Sequence, residues 1–274
     1  MTRATRLLAA LFLVAAAAGG VRAYTYVYTS SGVQTHWDDL CLDVWLQEDV
    51  SSGLDPAAAY GALESAVAAW TGVDCCAAVL QNAGVTCFDE VGMARWPGAQ
   101  NTVLWRDDPG SWVHAEHVIA LTSLTYDTET GEIVDGDIEI NSEDYDFATD
   151  GDPTRYDLRG TLTHELGHLL GMNHSEDPTA TMWADAQPGE LDKRALHDDD
   201  VRGICASYPA GDAPTTCDAP KPGYTFNAPY CPPLPGHQGC AGGTAPGDLA
   251  AALALALAFF ALVLRSRRRP ERRS

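Results

Sequence analysis

The run from His164 to His174, which reads His-Glu-Leu-Gly-His-Leu-Leu-Gly-Met-Asn-His, constrains the fold of this chain more than any other feature. His164 and His168 are four residues apart, so on a helix both imidazoles project from one face and can share a metal ion. Gly171 can adopt the positive φ that ends a helix, which lets the chain turn and bring back His174 as a third ligand. The pattern therefore predicts a helix with a metal site on one face.

The opposite face of the same helix is apolar. At about 100° per residue, four leucines fall nearly opposite the histidines and are expected to pack into a core. These are Leu158, Leu162, Leu166 and Leu169. We therefore predict a helix from Leu158 to Leu170, introduced by Asp157, that separates a buried face from an open cleft.

The residue types in the run indicate hydrolytic chemistry. Three nitrogen ligands leave a fourth tetrahedral position for water, as in catalytic zinc sites, and zinc lowers the pKa of bound water to about 7. Glu165, beside His164, is placed to take a proton from that water and to deliver it to a leaving amine. Met182, downstream of His174 in Ala-Thr-Met-Trp, suits a methionine turn beneath the metal. The predicted site is thus zinc on His164, His168 and His174, with Glu165 as the catalytic base.

The extended motif, together with Met182 and with Ser175 directly after the third histidine, resembles the metzincin peptidases and among them the matrixins. The resemblance covers about residues 35–208. It implies an α+β fold, in which a twisted mixed sheet carries an active-site helix and a C-terminal helix. It also implies a zinc endopeptidase whose extended protein or peptide substrate pairs with an edge strand, here Val118–Tyr126.

The sequence departs from the family at three points. Met182 is followed by Trp183-Ala184-Asp185 where the family has the Pro-x-Tyr that walls its specificity pocket. The sequence contains no Pro-Arg-Cys-Gly switch, so latency by cysteine ligation of zinc is not expected. His114 and His117 do not have the spacing of the family's second, structural zinc site. The resemblance therefore predicts the chemistry but not the substrate preference.

Periodicity and turn residues predict the other elements of the domain. We expect one helix that starts at Asp55-Pro56, carries the apolar stripe Tyr60, Leu63, Val67 and Trp70, and is closed by Gly72. We expect another from Asp198 or Asp199 onwards that buries Val201, Ile204, Cys205 and Tyr208. We expect a hairpin from Val118–Tyr126 and Glu132–Asn141. The other predicted strands are Cys41–Leu46, Ala78–Phe88 and Asn101–Arg106.

Acidic residues dominate the charge. The net charge is −21, from 38 Asp and Glu against 17 Lys and Arg, which argues against nucleic acid as a partner. Residues 127–152, which we call the acidic belt, contain eleven Asp or Glu and no Lys or Arg. A solvated face that aids solubility is the favoured interpretation, and a calcium site is the alternative. The candidate calcium ligands are Asp135, Asp137, Asp144 and Asp146.

Within the belt, the strand at Glu132–Asn141 alternates in character. Val134, Ile138 and Ile140 are expected to face one way. The acidic residues Asp135, Asp137 and Glu139 are expected to face the other.

The two ends of the chain have the composition of targeting segments. Residues 1–23 predict a secretory signal peptide, with Arg3 and Arg6 before an apolar run and a small-residue cleavage site. Residues 210–247 predict a Pro/Gly/Cys-rich linker, 248–264 a transmembrane or sorting helix, and 265–274 a basic cytoplasmic tail. The tail resembles the C-terminal sorting tags of some bacterial exported proteins. The catalytic domain would then be 24–209, exported to the cell envelope or surface, or released.

Eight cysteines in an exported chain indicate a disulfide framework, although their spacing does not determine the pairing. Cys75 and Cys76 are adjacent and are expected to bond to different partners. No Cys-x-x-Cys pair is present, so a thiolate zinc site is not expected.

The sequence thus predicts a monomeric, secreted or envelope-tethered zinc endopeptidase, held at the membrane by its C-terminal helix. The alternative is a non-catalytic metal-binding module that interacts with a surface. Glu165 favours the enzyme, because a pure binding site needs the histidines but not the base.

Overall fold

A computed structural model describes residues 23–92, 100–212 and 217–218. The chain divides into two compact units, Met1–Cys231 and Pro232–Ser274, and every described residue lies in the first. The predicted signal peptide (apart from Ala23), most of the predicted linker, the predicted helix over 248–264 and the basic tail lie outside the described residues. Within the described part of the chain, no helix has the length and apolarity needed to cross a membrane.

One five-stranded sheet and three α-helices form the domain. The sheet order is β3-β2-β4-β6-β5, and only β5 runs antiparallel to its neighbour. Its strands are β2 (Cys41–Gln47), β3 (Val79–Thr86), β4 (Asn101–Arg106), β5 (Ala120–Tyr126) and β6 (Ile133–Asn141). The helices are α1 (Pro56–Thr71), α2 (Leu158–Leu169) and α3 (Asp198–Ser207). The predicted α+β architecture is confirmed, and each helix and strand predicted between residues 41 and 208 is present to within a few residues.

Two-residue strands complete the fold around the sheet. β1 (Thr25–Tyr26) pairs antiparallel with β9 (Met172–Asn173), and β7 (Phe147–Ala148) pairs in parallel with β8 (Tyr156–Asp157). Two 3-10 turns follow α2 and α3 at Asp192–Arg194 and Ala210–Asp212.

The start of α1 and its buried face follow directly from its sequence. Asp55 caps the helix by accepting a hydrogen bond from Ala58 N at 2.9 Å, and Pro56 occupies the first turn, where no backbone donor is needed. The buried side ends at Trp70, which is 1% exposed. Its Nε1 donates to Thr163 O of α2 at 2.8 Å, so α1 and α2 are joined by a buried polar contact as well as by packing.

The apolar face of α2 is buried as predicted. Asp157 caps the helix by accepting from Gly160 N at 2.7 Å, and all four leucines at 158, 162, 166 and 169 have zero exposure. The helix ends because Gly171 has a φ of 83°. A Cβ at this position would in addition lie 2.9 Å from Thr35 O, so the turn also requires a residue without a side chain. This turn sends the chain into β9 and sets the position of the third histidine.

Disulfides tie peripheral segments to the domain. Cys41 is bonded to Cys217, and Cys75 to Cys205 of α3, while Cys87 is also disulfide-bonded. The prediction that Cys75 and Cys76 bond to different partners is wrong, because Cys76 has a free thiol. Its Sγ lies 3.9 Å from Ala78 O, half-buried and directed towards the backbone that enters β3.

The alternation predicted for β6 is only partly correct. Val134 is 37% exposed, because the pairing with β5 shifts register beside Tyr126 and Ile133 takes the core position at 2% exposure. The acidic side is not a solvated face at this strand: Asp135 and Asp137 are each 2% exposed. The favoured interpretation of the belt is therefore wrong here, since other segments cover the strand.

Close packing requires a glycine at position 167 of α2. A Cβ on Gly167 would overlap Met182 Sδ and lie 2.8 Å from Trp70 Cζ2. Gly167→Ala should therefore destabilise the domain by about 1–3 kcal/mol, as overpacking does. Gly61→Ala in α1 is the matched control, because nothing lies within 4 Å of its added Cβ; it should stabilise by about 0.5–1 kcal/mol. Urea unfolding measures both, and equal effects of the two substitutions would contradict the packing argument.

Candidate active site

Three histidines converge at the C-terminal end of α2. His164 and His168 lie one helical turn apart, and His174 directly follows β9. The Nε2 atom of His168 lies 3.2 Å from His164 Nε2 and 3.2 Å from His174 Nε2. Among the described residues, these form the only group of three or more His, Cys, Asp or Glu with ligand atoms this close together. The structure thus brings the three predicted zinc ligands to one point.

Backbone carbonyls fix the orientation of two of these rings. His164 Nδ1 lies 2.7 Å from Thr181 O, and His168 Nδ1 lies 2.9 Å from Met172 O. A carbonyl can only accept, so each Nδ1 bears the hydrogen and each Nε2 keeps its lone pair. The lone pairs therefore point into the space between the rings.

This arrangement fits a zinc ion. Zn–N bonds of about 2.0–2.1 Å at tetrahedral angles place ligand nitrogens about 3.3 Å apart, close to the separation seen here. Lone pairs that face one another at this distance repel unless a cation lies between them. Burial lowers the pKa of His164 and His168 and brings that of His174 to about 4, which keeps the rings neutral, as metal ligation requires.

Glu165 lies beside the histidines and is 5% exposed. Thr122 of β5 donates its hydroxyl to Glu165 Oε2 at 2.7 Å, and the same hydroxyl lies 3.1 Å from Glu165 O. Burial raises the pKa of Glu165 to about 7. Sequence reasoning missed Thr122, because a threonine within a strand gives no local signal of a contact made with a helix.

The start of α3 holds the methionine turn beneath the histidines. Met182 has zero exposure, and the backbone N–H groups of Thr181 and Met182 donate to Asp200 at 2.8 and 3.0 Å. The neighbouring Asp199 accepts from Ser175 Oγ at 2.7 Å, directly after the third histidine. The acidic residues at the start of α3 therefore anchor both segments that frame the site, although the role of Asp200 was not predicted.

A cavity of about 920 Å³ adjoins the histidines. One wall is β5, the end strand of the sheet, together with the residues that precede it. The facing wall is residues 184–187, and Lys193 also lines the cavity. The cavity is thus a groove between an edge strand and the segment after the methionine turn, with Glu165 inside it.

The four candidate calcium ligands are not brought together. Asp137 accepts from Gly92 N at 2.6 Å and from Thr102 N at 3.0 Å, whereas Asp135 Oδ2 is buried with no hydrogen-bond partner among the described residues. Asp144 and Asp146 are exposed in the segment after β6. These side chains do not fit a shared calcium ion. Elsewhere on β6, Glu139 is neutralised by Arg106 at 2.6 Å and contacts His114 at 2.9 Å.

The mixed sheet, the helix with two histidines and a glutamate, and the third histidine after a glycine turn together define a metzincin-type metal site. Residues 116–209 match the family model described as Matrixin, so this part of the chain is similar to the matrixins. The matched span begins before β5 and includes α2, the methionine turn and α3.

Three relatives illustrate the similarity. Human matrilysin is 42% identical over 60 residues, which are 22% of this chain and 22% of that protein. Human neutrophil collagenase is 32% identical over 114 residues, 38% of this chain and 23% of that protein. Rat matrix metalloproteinase-16 is 48% identical over 52 residues, 19% of this chain and 9% of that protein. The chain thus spans less than a quarter of the length of these curated relatives.

The buried carboxyl of Asp135 should make stability depend on pH. Burial, then repulsion from Asp137, raises its pKa to about 7, so its ionisation destabilises the folded state. Because the folded pKa lies above the unfolded one, stability falls as pH rises from about 4 to about 7. Asp135→Asn should therefore gain stability relative to wild type, by about 1–2 kcal/mol more at pH 8 than at pH 5.

Urea unfolding at the two pH values measures this difference, and the exposed Asp146→Asn is the control. A gain for Asp135→Asn that is the same at both pH values would contradict the assignment. Parallel runs with calcium chloride and with chelator add a second comparison. A calcium-dependent stabilisation of wild type that Asp135→Asn abolishes would instead support a calcium site.

Proposed function

We propose that this domain is a zinc-dependent endopeptidase that hydrolyses peptide bonds of extracellular proteins. One observation carries the proposal: three imidazole nitrogens, with that of His168 3.2 Å from each of the other two, lie beside a buried carboxylate in a groove along an edge strand. The site therefore contains the three parts that such a reaction needs, namely metal ligands, a general base and a strand edge that can bind the substrate.

The Nε2 atoms of His164, His168 and His174 would hold the zinc ion. When bound, zinc supplies Lewis acidity, which acidifies a water molecule and polarises the substrate carbonyl. The hydrogen bonds from Nδ1 of His164 and His168 to backbone carbonyls keep these two rings oriented as metal ligands.

Glu165 moves the proton in this mechanism. Its Oε2 is occupied by the Thr122 hydroxyl, so Oε1 takes the proton from the attacking water and then delivers it to the leaving amine. Thr122 is a positioning residue, because it holds the carboxylate without touching the substrate. Burial of Glu165 excludes bulk water from this proton transfer.

The outer edge of β5 binds the substrate backbone. β5 ends the sheet and lines the cavity, so its free edge is available to an extended peptide as a further strand. Main-chain hydrogen bonds of this kind give affinity without sequence preference. Preference must then come from the walls of the cavity.

The alternative, a non-catalytic module that binds metal and a surface, needs no acid at position 165. A buried carboxylate is costly, and here it lies beside the metal ligands with a hydroxyl that orients it. The enzyme therefore accounts for a feature that the binding module leaves unexplained.

We further propose that residues 24–209 form the catalytic domain of an exported monomer at the cell envelope or surface, or released from it. The disulfides at Cys41 and Cys75 support an oxidising compartment. The sequences of residues 1–23 and 248–264 support export and membrane attachment, respectively.

Glu165→Gln should retain zinc and lose hydrolysis. The substitution preserves shape and leaves the three histidines intact but removes the proton acceptor, so the rate on unfolded casein should fall about 10²–10⁴-fold. Metal analysis and casein cleavage are measured on the same sample, with Glu129→Gln, an exposed change in the β5–β6 turn, as the control. Wild-type rates for the zinc-loaded Glu165→Gln protein would refute the mechanism.

A further inference from the structure

Lys193 lies buried in the wall of the active-site cavity. It belongs to the 3-10 turn Asp192–Arg194 and is 6% exposed. Its Nζ donates to Thr181 O at 3.1 Å and also to Trp183 O, the two carbonyls on either side of Met182. A cationic side chain thus reaches the cavity from beneath the methionine turn.

Lys193 lies at the end of the cavity near the start of α2, which we call the pocket, since a Cβ on Gly160 would be 3.3 Å from Lys193 Cβ. The cavity is also lined by Tyr145, Tyr156 and Thr161. Thr161 precedes Glu165 by one turn of α2, about 5–6 Å along the axis, in the direction opposite to His168. Along α2, His164 and Glu165 therefore lie between His168 and the pocket.

The direction of the reaction decides which part of the substrate enters this pocket. The carbonyl of the residue before the scissile bond would face the three histidines, which would hold the zinc that polarises it, and Glu165 protonates the amine of the residue after the bond. The leaving amine therefore lies beside Glu165. The side chain carried by that amine extends past Glu165 into the pocket with Lys193.

The ammonium of Lys193 has capacity for one more acceptor. An ammonium has three donors, and backbone carbonyls occupy two of them. Within the described residues, no Asp or Glu forms an ion pair with it at 4.0 Å or less. Burial lowers the pKa of Lys193, although the negative charges of Glu190, Asp200, Glu165 and Asp185 act in the opposite direction from beyond ion-pair distance.

The facing wall does not close the pocket with bulky apolar groups. The segment after the methionine turn offers Ala184, Asp185 and Ala186, where the related family places Pro-x-Tyr. An aliphatic substrate side chain would cover the third donor of Lys193 without giving it a partner, which is unfavourable. A long side chain ending in a carboxylate would provide that partner.

We infer that Lys193 is a specificity-determining residue, which makes the peptidase cleave preferentially before glutamate. This inference rests on the proposed function, because it assigns the substrate class of the same site.

Four peptides that differ only at the residue after the scissile bond test the inference with zinc-loaded wild type. With Glu, Gln, Leu or Lys there, kcat/KM for the Glu peptide should exceed that for the Leu peptide by about tenfold or more. The Gln peptide should fall between them, and the Lys peptide should be the poorest, since its charge repels Lys193. A preference for Leu or Lys over Glu overturns the inference.

Two substitutions separate charge from packing. Lys193→Met should reduce the Glu-to-Leu ratio of kcat/KM to about one or below, and Lys193→Arg should preserve a ratio above one. The ratio is measured within one protein sample, so it does not depend on the fraction that folds. Arg202→Met, which removes an exposed cation on α3, should leave the ratio unchanged. An unchanged ratio in Lys193→Met also overturns the inference.

Failure of the inference is distinguishable from failure of the proposed function. If casein and all four peptides stay intact with the zinc-loaded protein, the proposed peptidase activity is wrong. If casein or the Leu peptide is cleaved without any preference for Glu, the activity stands and only the role of Lys193 is refuted.

Discussion

The carbonyl oxygen of Thr181 connects the metal site to the rest of the fold. It accepts from His164 Nδ1 at 2.7 Å and from Lys193 Nζ at 3.1 Å, while the N–H of the same residue donates to Asp200 at 2.8 Å. Three imidazoles that point lone pairs at one another cannot hold this geometry by themselves. The methionine turn, anchored from α3, provides the fixed acceptor that one of them requires.

Close packing under the site imposes the second constraint. Trp70 of α1, Gly167 of α2 and Met182 of the turn meet at one point, where no Cβ fits on the glycine. The packing of α1 against α2 therefore determines how far the methionine turn lies from the histidines. Interactions within a core of this kind transmit small displacements, because protein interiors are close-packed.

Local patterns predicted what depends on local geometry. The histidines and Glu165 follow from helical spacing and a glycine turn, and the buried leucines of α2 follow from its period. Contacts between distant segments were not predictable in this way: Thr122 lies 43 residues from Glu165, and Lys193 lies 12 from Thr181. The belt shows the same limit, since the burial of Asp135 depends on what covers β6 and not on its own strand.

The acidity of the chain and the cation in its active-site cavity act over different distances. A net charge of −21 repels acidic substrates at long range, but salt screens exposed charges beyond about 8 Å at physiological ionic strength. Lys193 acts at hydrogen-bond distance in a buried pocket, where screening is weak. The overall charge therefore affects how fast an acidic substrate arrives, whereas the pocket decides which bond is cut. Rising salt should for this reason favour acidic substrates while leaving the choice of bond unchanged.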